Sequence, residues 1–252
     1  MTHLPHPDER AALDAQAASF DAAAETYERA RPSYPAEAVA FLLETSPRDV
    51  LDLGAGTGKL TRALVGRVAT IHAVDPSPNM LAQLRAVVPE ASTAVGTAEA
   101  IPLADASVDA VLAAQAWHWV DPSRAVPEVR RVLRPGGVLG LVWNVRDESV
   151  PWVARLTEIM QGSAAERYVA ENRVPDDVGP VERLSLPWSR PFDRESLLDL
   201  VSSRSYIITA TPRRRAEILA GVDELLEEHP DLADPAAWQI PYRTEVFRIS
   251  VS

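Results

Sequence analysis

Cysteine is absent from the 252 residues. Neither disulfides nor thiolate-held metals can therefore support the fold, and the plain reading is an intracellular protein. No window approaches the ~20 consecutive apolar residues of a membrane span. The first ten residues, with two prolines and two histidines, lack the apolar stretch of a secretion signal. Positive charge is also short: 25 Lys and Arg against 36 Asp and Glu leave a net charge of −11, which repels a phosphate backbone. The histidines at 3, 6, 72, 118 and 229 share no ligand spacing with carboxylates on one helix face, so no metal is expected. There is no internal repeat, heptad pattern or low-complexity block. Together these absences predict a soluble, cytoplasmic protein with a small-molecule substrate, no nucleic-acid or membrane partner, and a monomeric or homodimeric state.

The chain is 46% hydrophobic, enough for one sizeable core. After a polar tail, Leu13, Ala17, Phe20, Ala24 and Tyr27 recur at helical spacing. That helix is expected to stop at Arg31-Pro32-Ser33-Tyr34-Pro35, where two prolines impose an extended turn, and a short helix over 36–44 follows. From Asp49 onward, short apolar runs bounded by Gly, Pro and Asp alternate with helix-length segments. The runs at 50–53, 70–75, 92–95, 108–114 and 138–143 read as parallel strands of a Rossmann-like α/β sheet. Arg134-Pro135-Gly136-Gly137 reads as a helix stop and turn. Asp121-Pro122 suits a helix start, and Pro127 should shorten or kink that helix.

Beyond Asn144, a helix over 152–167, a possible strand through Leu184, Leu186 and Trp188, and a helix opened by Thr211-Pro212 and closed at His229-Pro230 are expected. Alternation of Phe247, Ile249 and Val251 predicts a half-buried last strand. The organisation is thus a tail and helical lid over 1–45, a core over 46–145, and a part over 146–252 that completes one globular domain.

The chemistry concentrates in Val50-Leu51-Asp52-Leu53-Gly54-Ala55-Gly56-Thr57-Gly58-Lys59-Leu60, a strand running through a glycine loop into a helix. Glycines allow a sharp bend and close approach to a ligand, and the new helix presents free N–H groups. A purely structural strand-to-helix turn is the plain alternative. Asp75 ends the next strand, where a carboxylate can accept bonds from both ribose hydroxyls; as an N-cap followed by Pro76 it would have a simpler role. Gly58 follows Gly56 by two positions, whereas the dinucleotide fingerprint requires three. The loop therefore departs from nicotinamide cofactors.

Those residues, together with Val74-Asp75-Pro76-Ser77, the 96–103 segment Gly96-Thr97-Ala98-Glu99-Ala100-Ile101-Pro102-Leu103, and Arg131-Val132-Leu133-Arg134-Pro135-Gly136-Gly137, resemble class I S-adenosylmethionine-dependent methyltransferases of the type 11 group, over about half the chain. The resemblance implies a doubly wound, mostly parallel seven-stranded sheet with an antiparallel last strand and helical extensions at both ends. It implies S-adenosylmethionine as cofactor, held by Asp52, Gly54, Ala55, Gly56, Gly58, Asp75, Pro76, Ser77, Met80 and Gln115, with Thr97, Ala98 and Glu99 over the adenine; Glu99 as a solvated turn residue is the alternative. It also places the methyl-transfer centre in Gln115-Ala116-Trp117-His118-Trp119-Val120-Asp121. The Asn/Asp-Pro-Pro-aromatic sequence of nucleic-acid and glutamine amino-methylases is absent there.

The Arg-Pro-Ser-Tyr-Pro segment and the Trp-His-Trp run resemble the trans-aconitate methyltransferase-like branch, in which N-terminal elements close over the cofactor. Tyr27, Arg31, Tyr34, Trp117, Trp119 and Arg204 are the implied substrate-side residues. Trp117 or Trp119 could face a sulfonium, or could be plain core. His118 could act as a base toward a hydroxyl acceptor, or be a structural imidazole. A carboxylate acceptor would need no base and could pair with Arg31 or Arg204. The expected activity is O-methylation of a small carboxylate or hydroxyl compound. A nicotinamide-dependent oxidoreductase, and a cofactor-binding protein or cyclase without methyl transfer, are the competing readings.

Overall fold

The computed structural model describes residues 31–160, 168–169, 174–175, 178–208 and 210–251. The expected helix through Tyr27, and Tyr27 itself, lie outside the described residues, as does the end of the helix expected over 152–167.

Helix α1 (Ala36–Leu42) starts directly behind Pro35. There follow β1 (Asp49–Leu53), α2 (Lys59–Leu64), β2 (Thr70–Asp75), α3 (Pro78–Val87), β3 (Ser92–Val95), β4 (Val108–Ala114) and α4 (Pro122–Val132). The chain continues with β5 (Leu133–Arg146), α5 (Pro151–Met160), β6 (Val181–Pro191), α6 (Arg194–Ser202), α7 (Ser205–Ile208), α8 (Pro212–Glu228) and β7 (Gln239–Ser250). The seven strands form one sheet in the order β3-β2-β1-β4-β5-β7-β6. β1 pairs in parallel with β2 and β4, β2 with β3, and β4 with β5, while β7 runs antiparallel to both β5 and β6. The sheet is the Rossmann-like one expected from the runs.

β1, β4 and β5 from Val138 on are buried along nearly their whole length because both faces are covered, whereas the edge strands β3 and β6 are largely exposed. On one face Leu51, Leu53, Val111 and Leu139 pack with Val126, Val129 and Val132 of α4. On the other, Val50, Ala110, Leu112 and Val142 pack with Leu42 of α1, Leu60 and Leu64 of α2, and Leu81 and Leu84 of α3. Each fully buried leucine contributes about 1.5–3 kcal/mol. A third cluster joins α5, α6 and α8 to Ile240 and Tyr242 at the start of β7.

Three local expectations are revised. Arg134–Gly137 does not end the element ahead of a separate strand: β5 starts at Leu133, and its partners on β4 step from Val108↔Leu133 to Ala110↔Val138. The four residues form a bulge, held by Arg134, which donates to Asp49 Oδ2 at 2.8 Å, Asp109 Oδ1 at 2.7 Å and the Ser107 carbonyl at 2.7 Å. Pro127 does not shorten α4, which runs unbroken from Pro122 to Val132 with Asp121 as N-cap. Proline costs this helix one N–H, and the buried row Ala125, Val126, Val129 and Val132 outweighs it. Finally, β7 alternates only as far as Glu245; from Val246 on both faces are covered, Val246 on the α1–α3 side and Phe247 and Ile249 on the α4 side, so Val246, Phe247, Arg248 and Ile249 are all buried.

The sheet order reverses between β1 and β4, leaving a crevice at the carboxyl ends of these strands, the usual ligand position in open α/β sheets. Among the described residues no helix is long and apolar enough to cross a membrane.

Candidate active site

The glycine loop occupies that crevice. Gly54 leaves β1 at φ 74° and its N–H bonds the Val74 carbonyl at 2.8 Å. A Cβ at Gly54 would stand 2.5 Å from the Ala116 Cβ, so both the conformation and the space require glycine. Gly56 N–H donates to Asp75 Oδ2 at 2.8 Å, and Ser77 N–H to Asp75 Oδ1 at 2.9 Å. Asp75 thereby fastens the loop to the end of β2. It is not the cap of α3; that role belongs to Ser77, whose Oγ accepts from Met80 N–H at 3.2 Å.

A cavity of about 330 Å³ opens over the loop. Gly54, Gly56, Asp75, Pro76, Ser77, Met80, Thr97, Ala98, Glu99 and Gln115 all line it, and so do Trp117 and Trp119 from the expected substrate side. Three expected cofactor residues stand elsewhere. Asp52 is fully buried behind the loop, with Oδ2 accepting from Thr61 Oγ1 at 2.6 Å; burial first, and then the charge of Asp75, push its carboxyl up to about 7. Ala55 packs into the α1–α3 face of the core. Gly58 is the left-handed N-cap of α2, with Leu84 Cγ 2.9 Å from where its Cβ would be. Gly96, Ala116 and Val120 of the segments quoted above also form the cavity's walls without having been singled out, and sequence reasoning missed Ala113 and Ala114, since small apolar residues at a strand end carry no mark in the chain.

The segment after β3 is clamped from outside. Glu99 Oε1 accepts from Asp121 N–H at 3.0 Å, so it is neither a free solvated residue nor free of the cavity it lines. Glu128 Oε2 accepts from Ile101 N–H at 2.9 Å, while Arg131 donates to the carbonyls of Ile101 and Leu103 at 2.8 Å each. Hydrogen bonds from Arg131 hold the Glu128 carboxyl at about 2.

A second, much smaller recess lies beyond Gln115, which borders both spaces. Gln115 takes φ 55° and donates through Nε2 to the Asn144 carbonyl at 2.8 Å. Arg31, Tyr34 and Arg204 line this recess with Lys59, Asn144 and Tyr242, which the sequence did not single out. Arg31 Nε donates to Ser203 Oγ at 3.3 Å, bringing the strap of residues 31–35 to the turn after α6. Asn144 Nδ2 donates to the Ser33 carbonyl at 3.1 Å and its Oδ1 accepts from Thr244 Oγ1 at 2.7 Å. Arg204 is 6% exposed, and neither its buried Nε nor the buried Tyr242 hydroxyl has a hydrogen-bond partner. Buried polar groups normally have partners.

His118 sits on the three-residue turn between Trp117 and Trp119. Trp143 Nε1 donates to its Nδ1 at 3.2 Å. Burial, then the charges of Arg31 and Arg204, push the imidazole down to about 3. Trp117 is fully buried with its Nε1 unpartnered, while Trp119 is 42% exposed.

Comparison with known proteins bears on this geometry. The methyltransferase domain family matches residues 51–141. An uncharacterized methyltransferase of Mycobacterium tuberculosis is 51% identical over 234 residues, 93% of this chain and 96% of its own. The chain belongs to the class I S-adenosylmethionine-dependent methyltransferases. A structure assigned as a type II methyltransferase from Anaeromyxobacter dehalogenans superposes with a TM-score of 0.68 at 28% identity, covering 88% of this chain and 97% of that one. A malonyl-[acyl-carrier protein] O-methyltransferase of Methylococcus capsulatus is 46% identical over 99 residues, 37% of this chain and 36% of its own. The nicotinamide-dependent reading falls with this membership.

The residues of this methyltransferase fit its family's donor. The cavity has the volume of a small-ligand site. Its floor admits no side chain at Gly54, a carboxylate stands at the end of β2, and an indole N–H is buried without a partner in its wall. The recess, by contrast, offers donors: Arg31, Lys59, Arg204 and the Tyr242 hydroxyl.

Proposed function

We propose that this methyltransferase O-methylates a small carboxylic acid, with S-adenosylmethionine held in the larger cavity and the acceptor carboxylate at the Arg31–Arg204 recess. Asp75 would meet the ribose hydroxyls, Thr97 and Ala98 the adenine, and the Gly54–Gly56 backbone the methionyl part. When bound, the donor supplies an already activated methyl group, so the protein's part is alignment and exclusion of water.

The observation that carries the acceptor class is the buried Arg204, whose Nε has no hydrogen-bond partner among the described residues, beside a second guanidinium. A buried cation without a partner is costly, and a carboxylate relieves that cost by charge-assisted bonds to a planar fork. His118 supports the same class. Its Nδ1 is occupied by the Trp143 N–H, so the neutral ring carries its proton on Nε2 and has no lone pair free to deprotonate a hydroxyl. A carboxylate arrives ionised and needs no base. The O-methyltransferase named above, whose name specifies a malonyl group, shares the core region and supports oxygen as the methylated atom.

A panel of mono- and dicarboxylic acids, phenols and amines, incubated with S-adenosylmethionine and read by mass spectrometry, tests the proposal. The expected products gain one methyl and release methanol in mild alkali, as esters do. Methylated phenols or amines without esters would refute it.

A further inference from the structure

Trp143 lines neither cavity, yet it makes the one hydrogen bond that His118 has among the described residues. It lies fully buried in β5. Its ring is 5.4 Å from that of Tyr168 and meets Phe247 edge-on at 5.8 Å, so packing on two sides fixes where the indole N–H points. That N–H can only donate. At 3.2 Å it faces His118 Nδ1, which must then be the unprotonated nitrogen.

We propose that Trp143 is a positioning residue that locks His118 in the Nε2–H tautomer, so that the imidazole meets the acceptor as a hydrogen-bond donor and never as a base. The lock stands on the geometry alone; its use toward an acceptor carboxylate rests on the function proposed above.

The alternatives to the locked state are each disfavoured. A proton on Nδ1 would set two donors against each other and leave a fully buried indole N–H unpaired. A doubly protonated ring would do the same and add a third positive charge. Among the described residues, the charged groups acting on the imidazole are Arg31 from the strap and Arg204 from the turn after α6, with no carboxylate among them. The turn at 117–119 contributes only the Trp119 ring, 4.8 Å away. The imidazole also cannot titrate away from this role in the working pH range.

The experiment uses the full-length protein labelled with 15N-histidine. Long-range 1H–15N spectra distinguish the two neutral tautomers and the imidazolium, and His118→Gln identifies the signals of His118. The expected wild-type pattern is Nε2–H, unchanged from pH 8 to pH 5. Trp143→Phe keeps the ring packing and removes the donor. In that variant His118 is expected to show mixed tautomers while burial and the charges of Arg31 and Arg204 still keep the ring neutral. The kcat/KM for a carboxylic acceptor should fall several-fold, with the donor Kd unchanged. An Nδ1–H pattern in the wild type, or titration near pH 6.5, overturns the lock, and this holds even if Trp143→Phe fails to fold. A Trp143→Phe protein with the wild-type tautomer, or with an altered tautomer but an unaltered kcat/KM, overturns the positioning role. An intact lock in a protein that esterifies no carboxylic acid overturns the acceptor-facing role and, separately, the substrate class proposed above.

Discussion

Replacing Arg204 by methionine should make the free protein more stable and the enzyme worse. Arg204 is 6% exposed and its buried Nε has no partner, so the folded chain bears a desolvation cost that an unbranched apolar side chain of similar length removes. Exchanging buried ionic groups for well-packed apolar ones stabilises by about 1–4 kcal/mol where it stabilises at all. For a chain of this size, each kcal/mol shifts the melting temperature by roughly 2–4 °C, so thermal unfolding without ligands should rise by about 2–16 °C. The acceptor side moves the other way. Losing one partner of a close charge pair costs about 2–5 kcal/mol, which is roughly a 30- to 3000-fold loss in kcat/KM for a carboxylic acceptor. Calorimetric titration of S-adenosylmethionine supplies the discriminating arm, because the donor carries a carboxylate of its own. The account predicts a donor Kd within about threefold of wild type. A melting temperature that falls would show that Arg204 is a structural residue. A donor Kd weakened as much as the acceptor's kcat/KM would show that the recess holds the donor's carboxylate and that the acceptor class was wrongly inferred.

Asp52 gives a prediction with a defined pH sign. Its folded pKa of about 7 lies above the ordinary aspartate value of 3.8, so the folded state retains a proton that the unfolded chain releases. The resulting stabilisation is complete below pH 3.8 and lost as pH rises through 7. Asp52→Asn should therefore gain stability over wild type at pH 8, by up to roughly 4 kcal/mol, and little at pH 4; equal gains at both pH values in urea unfolding would contradict the assignment. Arg131→Met removes the bonds to the Ile101 and Leu103 carbonyls and should raise KM for S-adenosylmethionine about 3- to 30-fold, at about 1–2 kcal/mol, with KM for the acceptor little changed. Unchanged donor affinity would show that the 96–103 segment keeps its shape without the clamp.

The parts of the fold legible in the sequence are those whose environment is written locally. β2, β3 and β4 have the bounds of their runs: β2 and β4 are covered on both faces and carry largely apolar sequence, and the edge strand β3 is short and stops at Gly96. The Arg134–Gly137 bulge was not legible, since it depends on Asp49 and Asp109 reaching Arg134 from two other strands. The burial of β7 from Val246 to Ile249 depends on α1 over one face and the α4-side core over the other, both distant in the chain.

The site divides in the same way. Gly54, Gly56 and Asp75 were readable because positive φ and a strand-end carboxylate are properties of short segments. Asp52 was misplaced although period-two alternation contained the answer: it shares the Val50 side of β1, toward Thr61 of α2. The recess joins Arg31 to Ser203 across 172 positions, and Trp143 reads as any core indole until its N–H is seen at His118. Arg204 was named only as one possible carboxylate partner; its burial without a partner became visible in the fold.

Isothermal titration of S-adenosylmethionine into the wild-type protein and into Asp75→Ala tests the central claim most directly. The account predicts one donor bound per wild-type chain. It predicts no measurable binding to a folded Asp75→Ala protein, which lacks both the carboxylate in the cavity and the bonds that fix Gly56 and Ser77. Binding of equal strength to both proteins, or to neither, would contradict it.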